Sequence, residues 1–315
     1  MGRTVAIGRV EQPRSPLLED KDTMALGGNP VFNGKTFRSA TRGNQAAGFG
    51  TATYAGQAVA NQQQLEHMYN QPSAGPAQTG RMTFDDVIVK TLLCLGVVLV
   101  GAAIPAFVLP GLALPLMVVG ALGGFVLGLV NAFRREPSPA LIIAYAALEG
   151  LFVGGITMFL EAQFPGIAMQ AVLGTLVVFG VTLALFKSGK VRATPRAMKF
   201  FMIAIISYAA FSLVNLGLML FGVTEGMFGL RSSGIPGTEG MFGFAEGIPF
   251  GLVIGLFAIC LAAFSLIIDF TSISEGVRQG APMKYSWTAA FGLTVTLIWL
   301  YVEILRLLAI LRGSD

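Results

Sequence analysis

The pattern of apolar and polar positions divides the chain once, near residue 82. Upstream, Gly, Ala, Gln, Asn, Ser, Thr and Pro dominate, in stretches such as Gln62-Gln63-Gln64 and Pro72-Ser73-Ala74-Gly75-Pro76. Such a segment cannot bury enough apolar surface to offset the entropy of ordering, so residues 1–82 are expected to form a disordered polar tail. The tail has no apolar core of the signal-peptide type and is expected to be retained, with Met24 an alternative start. Downstream, seven apolar runs follow: 87–109, 112–133, 140–160, 167–186, 199–222, 249–270 and 288–311. Each is about as long as a bilayer is thick, which takes roughly 20 residues of helix. In lipid every backbone N–H and C=O must be satisfied within its own segment, and no period-2 alternation suggests a barrel. The expected fold is therefore an all-α polytopic membrane bundle of seven transmembrane helices over residues 83–312. Thr83, with Asp85 and Asp86 behind it, reads as the start of the first helix, its acids at the positive end of the dipole.

Composition agrees with this division. Hydrophobic residues make up 54% of the chain and charged residues 12%, with a mean hydropathy of +0.71, outside the range of soluble domains. The formal net charge of +4 is modest and its basic residues are dispersed, so the expected partner is the lipid bilayer and not nucleic acid. Lys and Arg instead report orientation. If seven spans alternate, 18 of the 21 fall on the tail side and three, Arg231, Arg306 and Arg312, on the other. The positive-inside rule then puts the tail in the cytoplasm and the carboxyl terminus outside an inner (plasma) membrane. Cys94 and Cys260 lie inside apolar runs and read as small packing residues. The only histidine, His67, sits in the tail, where a solvated side chain is the ordinary reading. A hexamer, Thr224 to Gly229, recurs as Thr238 to Gly243 in the longest connection on the far side. Two copies are too few for a repeat architecture.

Ionisable groups within the spans carry the chemistry, because they are expensive there. Glu149 lies in the third run, Asp269 near the end of the sixth, and Glu303 in the seventh, three residues before Arg306. Arg134 and Arg135 close the second run. Taken alone, the two arginines read as membrane anchors, and Arg306 as a neutralising i, i+3 partner of Glu303. Glu149 reads equally well as a protonated hydrogen-bonding group. No histidine occurs in any span and no Gly-x-Gly-Asp pattern accompanies Asp269, so an enzyme of the intramembrane hydrolase type is not expected.

The segments Asp269-Phe270-Thr271-Ser272-Ile273, Glu275 to Pro282, Trp287 to Gly292 and Leu300 to Leu308 resemble the carboxyl-terminal half of the Bax inhibitor-1/YccA family. The polar tail, with its run Asn29-Pro30-Val31-Phe32, is similar to the bacterial branch that carries such an extension. The resemblance covers roughly residues 82–311. It implies two three-helix layers around the last helix, and a pH-sensitive calcium leak channel that modulates cell death or membrane proteostasis. A membrane protease or similar membrane protein is an implied partner. The family's pH-sensing acid pair carries onto Asp269 and Glu303, its arginine latch onto Arg134 or Arg135. No resident cofactor is implied beyond calcium held transiently by the two acids. Glu303 departs from the aspartate often found at its position.

Physically, two carboxylates held close in a low dielectric cannot both ionise cheaply, so they would titrate as one unit and protonation would act as a switch. Helix rise works against that closeness. Glu303 lies sixteen residues past Trp287, roughly 24 Å, whereas Asp269 lies about 14 Å from Arg278. The leading expectation is a proton-gated cation leak; its rival is a non-conducting regulator that binds a membrane partner.

Overall fold

The computed structural model describes residues 80–189, 194–224, 228–239 and 247–313. The tail up to residue 79, His67 and Met24 within it, and parts of both hexamers lie outside them. Seven helices form on the seven apolar runs: α1 (Phe84–Ala103), α2 (Ala113–Phe133), α3 (Pro139–Gln163), α4 (Ile167–Lys187), α5 (Pro195–Leu220), α6 (Phe250–Arg278) and α7 (Ser286–Gly313). Each is long and apolar enough to cross a membrane.

Local chemistry explains the ends. The Thr83 hydroxyl oxygen accepts the Asp86 N–H at 3.1 Å and caps α1, with Asp85 and Asp86 in the first turn. Pro105, which has no N–H, sits where α1 widens into a π turn over Ile104–Val108, and a 3-10 turn over Pro110–Leu112 leads into α2. Pro139 and Pro195 each stand in the first turn of their helices, where no donor is needed. Helix α6 continues eight residues past its apolar run because its last two turns are amphipathic: Ser272, Ile273 and Gly276 are buried while Glu275 pairs with Arg278 outside.

Within lipid, helices associate by close packing between small residues. Helices α1, α2 and α3 form one such group. A Cβ added at Gly154 would stand 2.3 Å from the Ala102 carbonyl oxygen, and one at Gly120 2.6 Å from that of Leu148, so no side chain fits there. Helices α4, α5 and α6 form a second group, and α7 lies between the two, packed against α6, α1, α4 and α3. Its span is the most buried, at 61%, against 11% for α2, α4 and α5.

The spans alternate, so α1 begins at what we call the tail end of the bundle, together with the connections α2–α3, α4–α5 and α6–α7. The α5–α6 connection and the end of α7 lie at the far end. At the tail end the expected boundary of the tail is tied down. The Met82 N–H donates to the Ala281 carbonyl at 2.7 Å, the Met283 N–H donates to that of Gly80 at 2.8 Å, and Met82 is buried in the core around α7.

Candidate functional site

Two carboxylates are buried along α6 and α7. Asp269 lies nine residues before Arg278, and Thr296 ten residues after Ser286, so both sit roughly 14 to 15 Å in from the tail end. They meet there. The Thr296 hydroxyl donates to Asp269 Oδ2 at 2.7 Å. The Ser265 hydroxyl lies 3.5 Å from Thr296 Oγ1, whose single proton is already given to the carboxylate, so Ser265 is the donor in that contact.

Glu303 lies two turns further along α7 and keeps different company. Its Oε1 accepts from Arg306 Nη1 at 2.7 Å and from the Tyr208 hydroxyl of α5. Its Oε2 stands 3.5 Å from Nη1 of Arg231. Arg231 comes from no spanning helix. It belongs to a 3-10 turn, Gly229–Ser232, in the α5–α6 connection, and its guanidinium reaches in to donate from Nη2 to Tyr208 Oη and Ser212 Oγ, both at 3.1 Å. The same group lies over the rings of Tyr208 and Phe211, at 5.3 and 5.4 Å from their centroids.

Asn215 of α5 holds that turn. Its Oδ1 accepts the Leu230 N–H at 2.8 Å and its Nδ2 donates to the Phe228 carbonyl at 3.2 Å. Gly229 takes φ +59, and a Cβ there would stand 2.7 Å from Asn215 Oδ1. Two guanidiniums therefore converge on one carboxylate at the far half of the bundle.

A sequence model of the family described as Bax inhibitor 1 like matches residues 29–313. The chain belongs to that family. No curated protein matches it.

For this Bax inhibitor 1 like bundle the structure joins some of the residues singled out from sequence and separates others. Glu303 and Arg306 are together. Asp269 and Glu303 are not: seven residues of α7, roughly 10.5 Å of rise, separate Glu303 from Thr296, the residue that faces Asp269. Helix α7 begins at Ser286, one residue before Trp287, so the difference in depth read from the sequence persists. Arg134 and Arg135 are exposed at the tail end, where α2 stops at Phe133, and no ion pair among the described residues joins either to Asp269. The reason is depth, since the carboxyl lies about 13.5 Å inside that end. Glu149 belongs to another interface, beside the Tyr145 hydroxyl of its own helix and against Gly124 of α2.

Calcium held jointly by Asp269 and Glu303 does not fit this arrangement. Such an ion takes six to eight oxygens, whereas Glu303 is engaged by guanidiniums and no cluster of three or more His, Cys, Asp or Glu occurs among the described residues. Several site residues were not found by sequence reasoning. Thr296 and Tyr208 look like ordinary helix residues. Arg231 did carry a signal, as the one Lys or Arg between Lys199 and Arg278.

Proposed function

We propose that this membrane protein is a pH-sensitive cation leak pathway of the Bax inhibitor-1 type, with calcium the expected cargo and Asp269 the group whose protonation controls passage. The observation that carries this reading is the buried Asp269 carboxylate on the two most buried spans, beside the Thr296 and Ser265 hydroxyls. An intramembrane acid marks an ion or proton path by default, because such groups are rare and expensive in lipid. In its charged form Asp269 offers a hard cation oxygen ligands together with the two hydroxyls; in its protonated form that attraction is gone. Glu303 acts as a separate unit. The excess of Lys and Arg at the tail end supports a cytoplasmic tail and an inner-membrane setting.

The test is divalent-cation flux in liposomes holding the purified protein, across pH. Asp269→Asn should flatten the pH response. Flux absent at every pH would favour the second reading, a non-conducting regulator that binds a membrane protein such as a protease. The observation behind that reading is the pair of arginines on Glu303, which locks α5, α7 and the α5–α6 connection together.

A further inference from the structure

We infer that the turn Gly229–Ser232 between α5 and α6 is a latch at the far end of the bundle, with Arg231 as its bolt and Glu303 as its catch. A connection normally keeps its charged side chains in water, yet the side chain of Arg231 is only 4% exposed. Taking a guanidinium out of water is costly, so Arg231 stays inside only while the groups around it compensate. Those groups come from three elements: Glu303 on α7, Tyr208, Phe211 and Ser212 on α5, and the Asn215 anchor beneath the turn. Gly251 and Gly255 make room on α6. A Cβ at Gly251 would stand 2.7 Å from the Arg231 carbonyl oxygen, and one at Gly255 2.9 Å from Leu307 of α7.

The cluster has the asymmetry a latch needs. Arg306 lies on the same helix as Glu303, one turn on, and remains bonded to it whatever the connection does. Arg231 faces Glu303 through Nη1 and Oε2, two atoms that make no hydrogen bond and meet at 3.5 Å. That contact is charge attraction without the shorter hydrogen bond that strengthens a full pair. Withdrawing Arg231 therefore leaves Glu303 neutralised and returns the second guanidinium to water. Two arrangements of one element, each electrostatically satisfied, constitute a switch. Helix α5 moves with it, because Tyr208, Ser212 and Asn215 connect α5 to the turn and to α7 while only 11% of its span is buried.

Tryptic cleavage reads the latch directly, since Arg231 is the sole tryptic site between Lys199 and Arg278. In the detergent-solubilised full chain, hydrolysis of the Arg231–Ser232 bond is followed by mass spectrometry against the Arg278–Gln279 bond, where the Arg278 side chain is 76% exposed. The Arg231–Ser232 bond should be cut much more slowly. Asn215→Ala, which removes the anchor and leaves every charge in place, and Glu303→Gln should each speed that cut by roughly tenfold, since cleavage tracks the open population. If Glu303→Gln fails to fold, Asn215→Ala carries the test alone. Equal cutting of the two bonds in the native chain, or an unchanged rate in Asn215→Ala, overturns the latch. The flux arm rests on the leak reading: Asn215→Ala should raise divalent flux severalfold. Faster cleavage with no flux in either protein upholds the latch and counts against the leak.

Discussion

Asp269 and Glu303 are buried acids on neighbouring helices, and they live in different electrostatic settings. Asp269 accepts a hydrogen bond from the Thr296 hydroxyl, with Ser265 behind it. Glu303 is held by Arg306, Arg231 and the Tyr208 hydroxyl. A carboxylate between two guanidiniums contributes structure through its charge, which both partners attract. A carboxylate beside hydroxyls can change charge while keeping its hydrogen bonds, because hydroxyls donate and accept. The contrast assigns cohesion of the far half to Glu303 and, on the proposed leak reading, leaves protonation to Asp269.

The largest effect should come from removing one charge at each level. Glu303→Gln leaves two guanidiniums without their carboxylate and should cost about 3 kcal/mol or more of stability, the penalty for breaking a buried pair. Asp269→Asn keeps an oxygen acceptor for Thr296 and should cost less than about 1 kcal/mol, as a shape-conserving change with its hydrogen bond retained. Denaturant unfolding of both variants in detergent decides it. Equal losses would erase the distinction.

A smaller effect sharpens the Asp269 side. Thr296→Val removes the donor to a buried carboxylate and should cost roughly 1.5 to 3 kcal/mol, measured in the same unfolding experiment. A loss near zero would show that the hydroxyl does not support the acid.

Smaller still should be the coupling between the two acids. With roughly 10 Å of α7 between their levels, the double change Asp269→Asn with Glu303→Gln should be additive to within about 0.5 kcal/mol. A pair sharing one proton would show a coupling well above that, and the two sites would then be one.

The bundle and its acids were legible in the sequence because lipid imposes strong, local rules. Apolar runs marked all seven helices, although α6 continued to Arg278 on an amphipathic pattern that hydropathy does not see. Glu303 with Arg306 was legible because i, i+3 neighbours on a helix must meet. The difference in depth between Asp269 and Glu303 was legible as well, from helix rise alone. What sequence did not show is the company each acid keeps across helices. Thr296 and Tyr208 carry no compositional signal, since their hydroxyls matter only through what faces them. Arg231 stood out as a lone cation in a connection, but nothing local says that a connection folds back into the bundle; the Asn215 anchor lies fourteen residues away from the Gly229 it supports. Arg134 and Arg135 were placed on the correct end but not at the depth of Asp269.

The smallest effect concerns an acid outside the spans, which serves as the exposed control. Glu136, in the α2–α3 connection, accepts from Lys284 Nζ at 2.7 Å, and their side chains are 68% and 49% exposed. The Lys284 hydrogen bond and its charge, helped by Arg134, hold the Glu136 carboxyl below its ordinary range. A folded-state value lower than the unfolded one means that the contribution to stability is complete above the unfolded value, near 4.3, and disappears as pH falls through the folded value. Water and salt screen a pair this exposed, so the contribution is small and shrinks further at high ionic strength. Lys284→Gln should therefore move the Glu136 titration midpoint upward, read by carboxyl-selective NMR. The variant's slight loss of stability should appear at neutral pH and vanish in acid or in 1 M salt. Were that loss as large as the one from Glu303→Gln, burial would not be what separates a structural carboxylate from a solvated one, and the contrast between the two halves of the bundle would need another cause.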